Sequence, residues 1–249
     1  YPAINFALAQ PYKGGGDFVF NSAKVGVNDG ITTFGGWERI YDNLDVTDAG
    51  AKGDGVADDA TAVNNLVLHM FKKGGGTVVF PESPSGYKLD GTVYVVSNVA
   101  FEINNQTLIG NESLSMFRTA NVVSDNFVPI TVFDPLSVVR FAKIQNAKID
   151  NTDLAFDFIS FTLNCSVENI EFENCNRGFR LEQCFYSQWQ NLQATPTSGT
   201  GLLPFYHLVG AANAMIFDRV SATVAWGWLI ESSTALVFNA CTFEGGNLG

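Results

Sequence analysis

The sequence predicts an all-β protein: a solenoid of short parallel strands, closed at its first coil by one α-helix. Three observations predict it. Five heptapeptides recur along the chain, I144QNAKID, V167ENIEFE, W189QNLQAT, F217DRVSAT and F238NACTFE, with starts 23, 22, 28 and 21 residues apart. Short runs rich in Val, Ile and Phe, broken by Asn and Gly, fill the rest of the chain after residue 74 without a second amphipathic helix. One helical run stands ahead of them, between two glycine-rich turns.

From the N-terminus, residues 1–45 carry glycine turns at Gly14–Gly16 and Gly35–Gly36 with short β-like runs such as Phe18–Phe20 between them, which we read as a small neck. The next stretch, G50AKGDGVADDATAVNNLVLHMFKKGGGTVVFP, poses a choice between a phosphate-binding loop and a structural helix. Gly50 and Gly55 have the glycine spacing of the loop, but Val56 and Ala57 stand where Lys and Ser/Thr are required, and Asp54, Asp58 and Asp59 would repel a phosphate. The structural reading fits every position. Asp58 or Asp59 caps the helix, Val63, Leu66, Val67 and Met70 recur at helical spacing, and Asn64, Asn65, Lys72 and Lys73 fall on the polar side. Gly74–Gly76 end the helix before the β-branched run Thr77–Phe80. The helix, from about Asp59 to Lys73, is expected to seal the open mouth of the solenoid, where unpaired strand edges and apolar interior would otherwise meet water. His69, between Leu68 and Met70, is read as structural.

Within each heptapeptide the first, fourth and sixth residues are mainly apolar, so the inward phase slips by one residue between the first and the fourth. The chain must leave the β conformation there. Asn146, Asn169 and Asn191 hold the third position, and Asn tolerates the left-handed region such a bend requires. A period near 22 residues without a helix in each repeat suits stacked parallel coils better than a sandwich of hairpins.

Composition narrows the partners. With 25 acidic against 14 basic side chains the net charge is -11, which disfavours nucleic acid and anionic membranes. No apolar run approaches the roughly 20 residues needed to cross a bilayer, the first residues lack a signal-peptide pattern, and the absence of an initial Met is read as processing or a fragment. Cys165, Cys175, Cys184 and Cys241 lack C-x-x-C spacing and the two histidines lie far apart, so no zinc site is expected and the thiols are read as free and buried.

The segments V46TDAGAKGDGVADDATAVNNLV, G74GGTVVFP and Y87KLDGTVYV resemble the mouth of the pectate-lyase-like superfamily of right-handed parallel β-helices, in the version found in bacteriophage tailspikes. G14GGDFVF and W37ERIYD are similar to the neck that precedes a tailspike β-helix. The resemblance implies a neck over residues 1–45 and a right-handed, single-stranded β-helix over 46–249. It also implies a homotrimer attached to a phage tail or baseplate protein, a place in the virion, and binding and cleavage of bacterial capsule or O-antigen polysaccharide. Tailspikes continue through further coils, whereas this chain stops at Gly249 just after the fifth heptapeptide, so the neck and first coils of a longer spike are expected. The alternative is a non-catalytic structural or receptor-binding module, the neck and first coils of a longer spike whose chemistry lies elsewhere.

On such a fold a site lies on outward positions of neighbouring coils. The second strand of each coil aligns as F156DFI, F179RLE, Y206HLV and W228LIE, the third alignment depending on an insertion around Thr195–Gly201. One outward ladder then holds Asp157, Arg180, His207 and Leu229, and the other Ile159, Glu182, Val209 and Glu231. Glu182 and Glu231 fall two coils apart, about 9 to 10 Å along the axis. With side-chain reach this is compatible with the acid and base of an inverting glycosidase, whose carboxyl groups are about 6.5 to 9.5 Å apart. Asp157, Arg180 and His207, with the aromatics Trp226 and Tyr206, are the candidate substrate-binding groups, and Tyr186 is a further aromatic around the same coils. Hydrolysis needs no cofactor or metal; the other chemistry, β-elimination, would use Arg180 as base and Ca²⁺ held by carboxylates against a uronate.

Overall fold

The computed structural model describes residues 17–41, 44–195, 203–224 and 227–242. Gly14–Gly16 lie outside them. The neck strands β1 (Asp17–Phe20), β2 (Thr33–Phe34) and β3 (Trp37–Ile40) form an antiparallel sheet in the order β1-β3-β2. Its connecting loop is organised by one carboxylate: Asp29 accepts the backbone N–H groups of Ile31, Thr32 and Thr33.

The helix forms where its periodicity places it. α1 spans Ala60–Lys72 and buries Val63, Leu66, Val67 and Met70. Capping is divided between the two aspartates in a way charge alone does not specify. Asp59 occupies the cap position, yet its carboxylate turns back to the N–H groups of Lys52 and Gly53, while Asp58 accepts from Ala60. Asn64 departs from its expected place on the polar side: its amide donates to Thr92 O at 2.8 Å and accepts from Tyr94 N at 2.9 Å. The helix thereby covers the core and also satisfies part of the backbone edge of the first coil. At its exit Gly75 has φ +132°, and a Cβ there would lie 2.6 Å from Asn98 O, so glycine is required.

The chain then lays down β4 (Gly76–Val79), β5 (Tyr87–Lys88), β6 (Val93–Val95), β7 (Val99–Ile109), β8 (Ser115–Val123) and β9 (Asn126–Pro129). A regular alternation follows: β10 (Lys143–Asp150), β11 (Leu154–Ile159), β12 (Cys165–Glu173), β13 (Arg177–Glu182), β14 (Ser187–Ala194), β15 (Tyr206–Val209), β16 (Ile216–Ala222), β17 (Trp228–Ile230) and β18 (Val237–Asn239). Alternate strands stack into two sheets, β4-β7-β10-β12-β14-β16-β18 and β6-β8-β11-β13-β15-β17, whose neighbours are all parallel. The hairpin β8–β9 is the antiparallel exception.

In the first sheet one inward ladder runs Val78, Phe101, Ile144, Val167, Trp189, Phe217 and Phe238, adding two coils ahead of the repeats legible in sequence. The second sheet faces it with Val93, Phe117, Phe156, Phe179, Tyr206 and Trp228. The expected phase slip is present at each third heptapeptide position: Asn146, Asn169, Asn191, Arg219 and Ala240 have φ between 50° and 60°. The asparagine amides also bond from coil to coil, Asn191 to Asn169 at 3.0 Å and Asn169 to Asn146 at 2.8 Å. Leucine at position 169 would lose both bonds and strain the bend, so Asn169→Leu is expected to destabilise the fold by about 1 to 3 kcal/mol, read as a lower urea midpoint. No change in midpoint would show that the ladder is incidental.

No disulfide links the four cysteines among the described residues; Cys241, expected buried, is only partly so, while Cys165, Cys175 and Cys184 are buried. Burial pushes these three up to about 12, so they act as small apolar spacers and not as nucleophiles.

Candidate functional site

The second sheet carries an outward ladder as well as an inward one. Tyr94, Arg118, Asp157, Arg180, His207 and Leu229 occupy the same position on six successive strands, spaced about 4.8 Å apart. The hairpin β8–β9 folds over one end of the row, where Phe127 stacks on Tyr94 at 5.0 Å. The open strip therefore begins at Arg118.

Charges alternate along it. Asp157, 14% exposed, lies between two guanidinium groups, with Arg118 Nε at 3.2 Å and Arg180 Nη1 at 3.1 Å. Arg180 also donates through Nη2 to Glu182 at 2.5 Å. Burial works against the Arg180 charge, but the hydrogen bond and field of Asp157, joined by those of Glu182, hold its pKa above the usual value. On the next rung His207 Nε2 is 2.8 Å from Glu231 Oε2. Both glutamates thus lean toward the strip, onto adjacent rungs, from backbones two coils apart. Glu231, 49% exposed, stands at the water-facing side.

The structure brings Asp157, Arg180, His207, Glu182 and Glu231 onto one face and places Y206HLV in register with F179RLE. Ile159, on the same ladder as Glu182, is buried instead of outward. Tyr206 requires a correction. It is fully buried, stacked on Phe179 at 4.5 Å, and its hydroxyl donates to Ser221 O at 3.0 Å, so it cannot meet a substrate. The first position of each second strand is the inward one, and an aromatic there fills the core. Trp226 lies outside the described residues. Tyr186, 61% exposed, lies just ahead of β14 of the first sheet. Arg118 is the member that sequence reasoning missed: Phe117-Arg118 aligns with Phe156-Asp157, but the hairpin between their coils hides the repeat. Among the described residues no three His, Cys, Asp or Glu side chains converge to hold a metal ion, and no helix is long and apolar enough to cross a membrane.

No protein-family model matches the chain, and no curated protein is similar to it in sequence. Solved structures share its fold. ORF18 of Geobacillus virus E2 superposes with a TM-score of 0.60 at 20% identity, over 82% of this chain and 42% of the viral one. The chain is a parallel β-helix. The β-helical likeness extends to the surface protein and adhesin PfbA of Streptococcus pneumoniae, with a TM-score of 0.57 and 13% identity over 80% of this chain and 61% of that one. It extends also to a protein of Parabacteroides merdae ATCC 43184 provisionally described as a glycosyl hydrolase, at 0.55 and 13% over 80% and 94%. This β-helix spans less than two thirds of the viral protein and of the adhesin.

Proposed function

We propose that this chain is a phage tailspike β-helix that binds bacterial surface polysaccharide and hydrolyses it, with Glu182 and Glu231 supplying the acid and the base. The observation that carries the reading is the run Arg118, Asp157, Arg180 and His207 on successive rungs of an open sheet face, flanked by two glutamates. A row of alternating donors and acceptors suits a hydroxyl-rich chain lying along the helix axis. Two carboxylates at its side suit attack by water on a glycosidic bond. Elimination would ask Arg180 to give up its proton, which Asp157 and Glu182 oppose, so hydrolysis is the favoured chemistry.

The virion location and the tail or baseplate partner rest on the neck and mouth segments together with the likeness to a viral β-helix. Exposed Val19, Phe20, Val25, Val27 and Ile40 on the neck support self-association, and sedimentation at three times the chain mass is the expected result for a homotrimer. A monomer at micromolar concentration would remove that part of the proposal.

A second reading, a polysaccharide-binding module without chemistry, is favoured by the engagement of Glu182 with Arg180. Purified chain incubated with capsulated bacteria separates the readings. New reducing ends mark hydrolysis, the ultraviolet absorbance of an unsaturated uronate marks elimination, and retention on cells with neither marks binding alone. New reducing ends are expected.

A further inference from the structure

Where the neck meets the last turn of α1, a cleft of about 280 Å³ remains open. Its lining runs against the charge of the chain. Lys24, Arg39, Lys72 and Lys73, four of 14 basic side chains in a molecule of net charge -11, converge there with His69, one of two histidines. Among the described residues two carboxylates, Asp29 and Glu38, line the same cleft.

Three of these cations already have partners. Lys24 pairs with Glu38, Arg39 with Asp48 at 2.7 Å, and Lys72 with Asp125 at 2.8 Å. Lys73 has no carboxylate partner among the described residues; its ammonium rests over the Tyr41 ring, 4.4 Å from the centroid. His69 is underbonded although its side chain is only 11% exposed: Nδ1 is 3.8 Å from Asp29 Oδ2 and Nε2 is 3.5 Å from the Tyr41 hydroxyl. Both separations exceed an ordinary hydrogen bond. Asp29 is not free to close the gap, because its carboxylate is fixed by three backbone N–H groups and the Thr32 hydroxyl at 2.7 to 2.9 Å. The negative end of α1 is also masked, since the carbonyls of His69, Met70 and Phe71 are capped by the N–H groups of Lys73, Gly74 and Gly75.

We propose that this cleft binds a small oxyanion, a carboxylate or sulfate group free or carried on a molecule no larger than a monosaccharide, held by the Lys73 ammonium, the Tyr41 hydroxyl and the His69 imidazole. The volume lies just below the roughly 300 to 1,000 Å³ of pockets for drug-sized ligands, which sets the size limit. A cation with no carboxylate partner among the described residues, and beside it a tyrosine hydroxyl and an imidazole that share only one long contact, are the groups an anion would complete. The site is separate from the outward strip of the second sheet and does not depend on polysaccharide cleavage.

The test titrates sulfate, glucuronate and glucose into the intact chain while following the imidazole proton resonances of His69 and His207. Sulfate is expected to move the His69 signals saturably with a dissociation constant of about 1 mM and to leave His207 in place. Glucuronate should do the same at His69, and glucose should not. Saturation by sulfate without glucuronate would support the oxyanion site and restrict it to free inorganic anions. Lys73→Gln, at an exposed position and so without effect on melting, should weaken binding about five- to tenfold, and Tyr41→Phe should weaken it less. The proposal is overturned by the absence of a saturable His69 shift up to about 50 mM sulfate. Equal movement of both histidines, a matching response to glucose, or unchanged affinity in folded Lys73→Gln protein would overturn it as well.

Discussion

Trp189→Ala is expected to lower the unfolding free energy by about 3 to 5 kcal/mol, the range for truncating a large buried aromatic. Trp189 is fully buried on the inward ladder of β14, with ring centroids of Phe179 at 5.0 Å, Phe161 at 5.9 Å, Phe158 at 6.0 Å and Phe156 at 6.1 Å. Its Nε1–H donates to the buried Ser187 hydroxyl at 3.1 Å, which would lose that partner. Collapse cannot recover the loss. The rungs above and below are held at the strand spacing by parallel backbone hydrogen bonds, so the cavity persists and its lining forfeits dispersion contacts. Urea denaturation of both proteins checks the value, with Trp189→Phe expected to retain most of the stability. A loss under about 1 kcal/mol would mean that the stacked rings do not hold the coils together.

Glu182→Gln and Glu231→Gln are each expected to cut polysaccharide hydrolysis by about 10² to 10⁴ while leaving binding to the glycan in place, because an amide keeps the shape of the carboxyl but neither gives nor takes the proton. The fold should survive both. Each glutamate is partly exposed, and a surface pair such as Glu182–Arg180 is worth about 0 to 1 kcal/mol, so denaturation midpoints should move little. Activity undiminished from that of the unsubstituted chain, measured as reducing ends per unit time on the same polysaccharide, would remove these residues from the chemistry.

The repeating coils are legible in sequence because stacking imposes one pattern on every heptapeptide. Inward positions must be apolar, and one left-handed residue must separate them, which Asn146, Asn169 and Asn191 announce. The alignment of second strands is legible for the same reason, and it places Asp157, Arg180 and His207 on one ladder. The first coils are hidden because β7 has two left-handed residues, Asn104 and Asn105, where β10 has Asn146 alone, and because the hairpin β8–β9 interrupts the period. Arg118 disappears from view with them. Tyr206 shows a different limit: aromatic content does not say which face a ring takes, whereas the phase of its strand does. The division of labour between Asp58 and Asp59 was equally closed to sequence, since it turns on where the loop at Lys52–Gly53 returns. The basic cleft draws on residues of the neck and of the end of α1, between Lys24 and Lys73, and only the packing of neck on helix brings them together.

The most direct measurement is proton NMR of the anomeric region while the intact chain digests a polysaccharide to which it binds. The proposed arrangement, Glu182 and Glu231 as acid and base on either side of a water, predicts new reducing ends that appear first with inverted anomeric configuration, and their loss in Glu182→Gln and Glu231→Gln protein. Retained configuration, the vinylic proton of an unsaturated uronate, or an unchanged spectrum with the glycan bound would contradict the account.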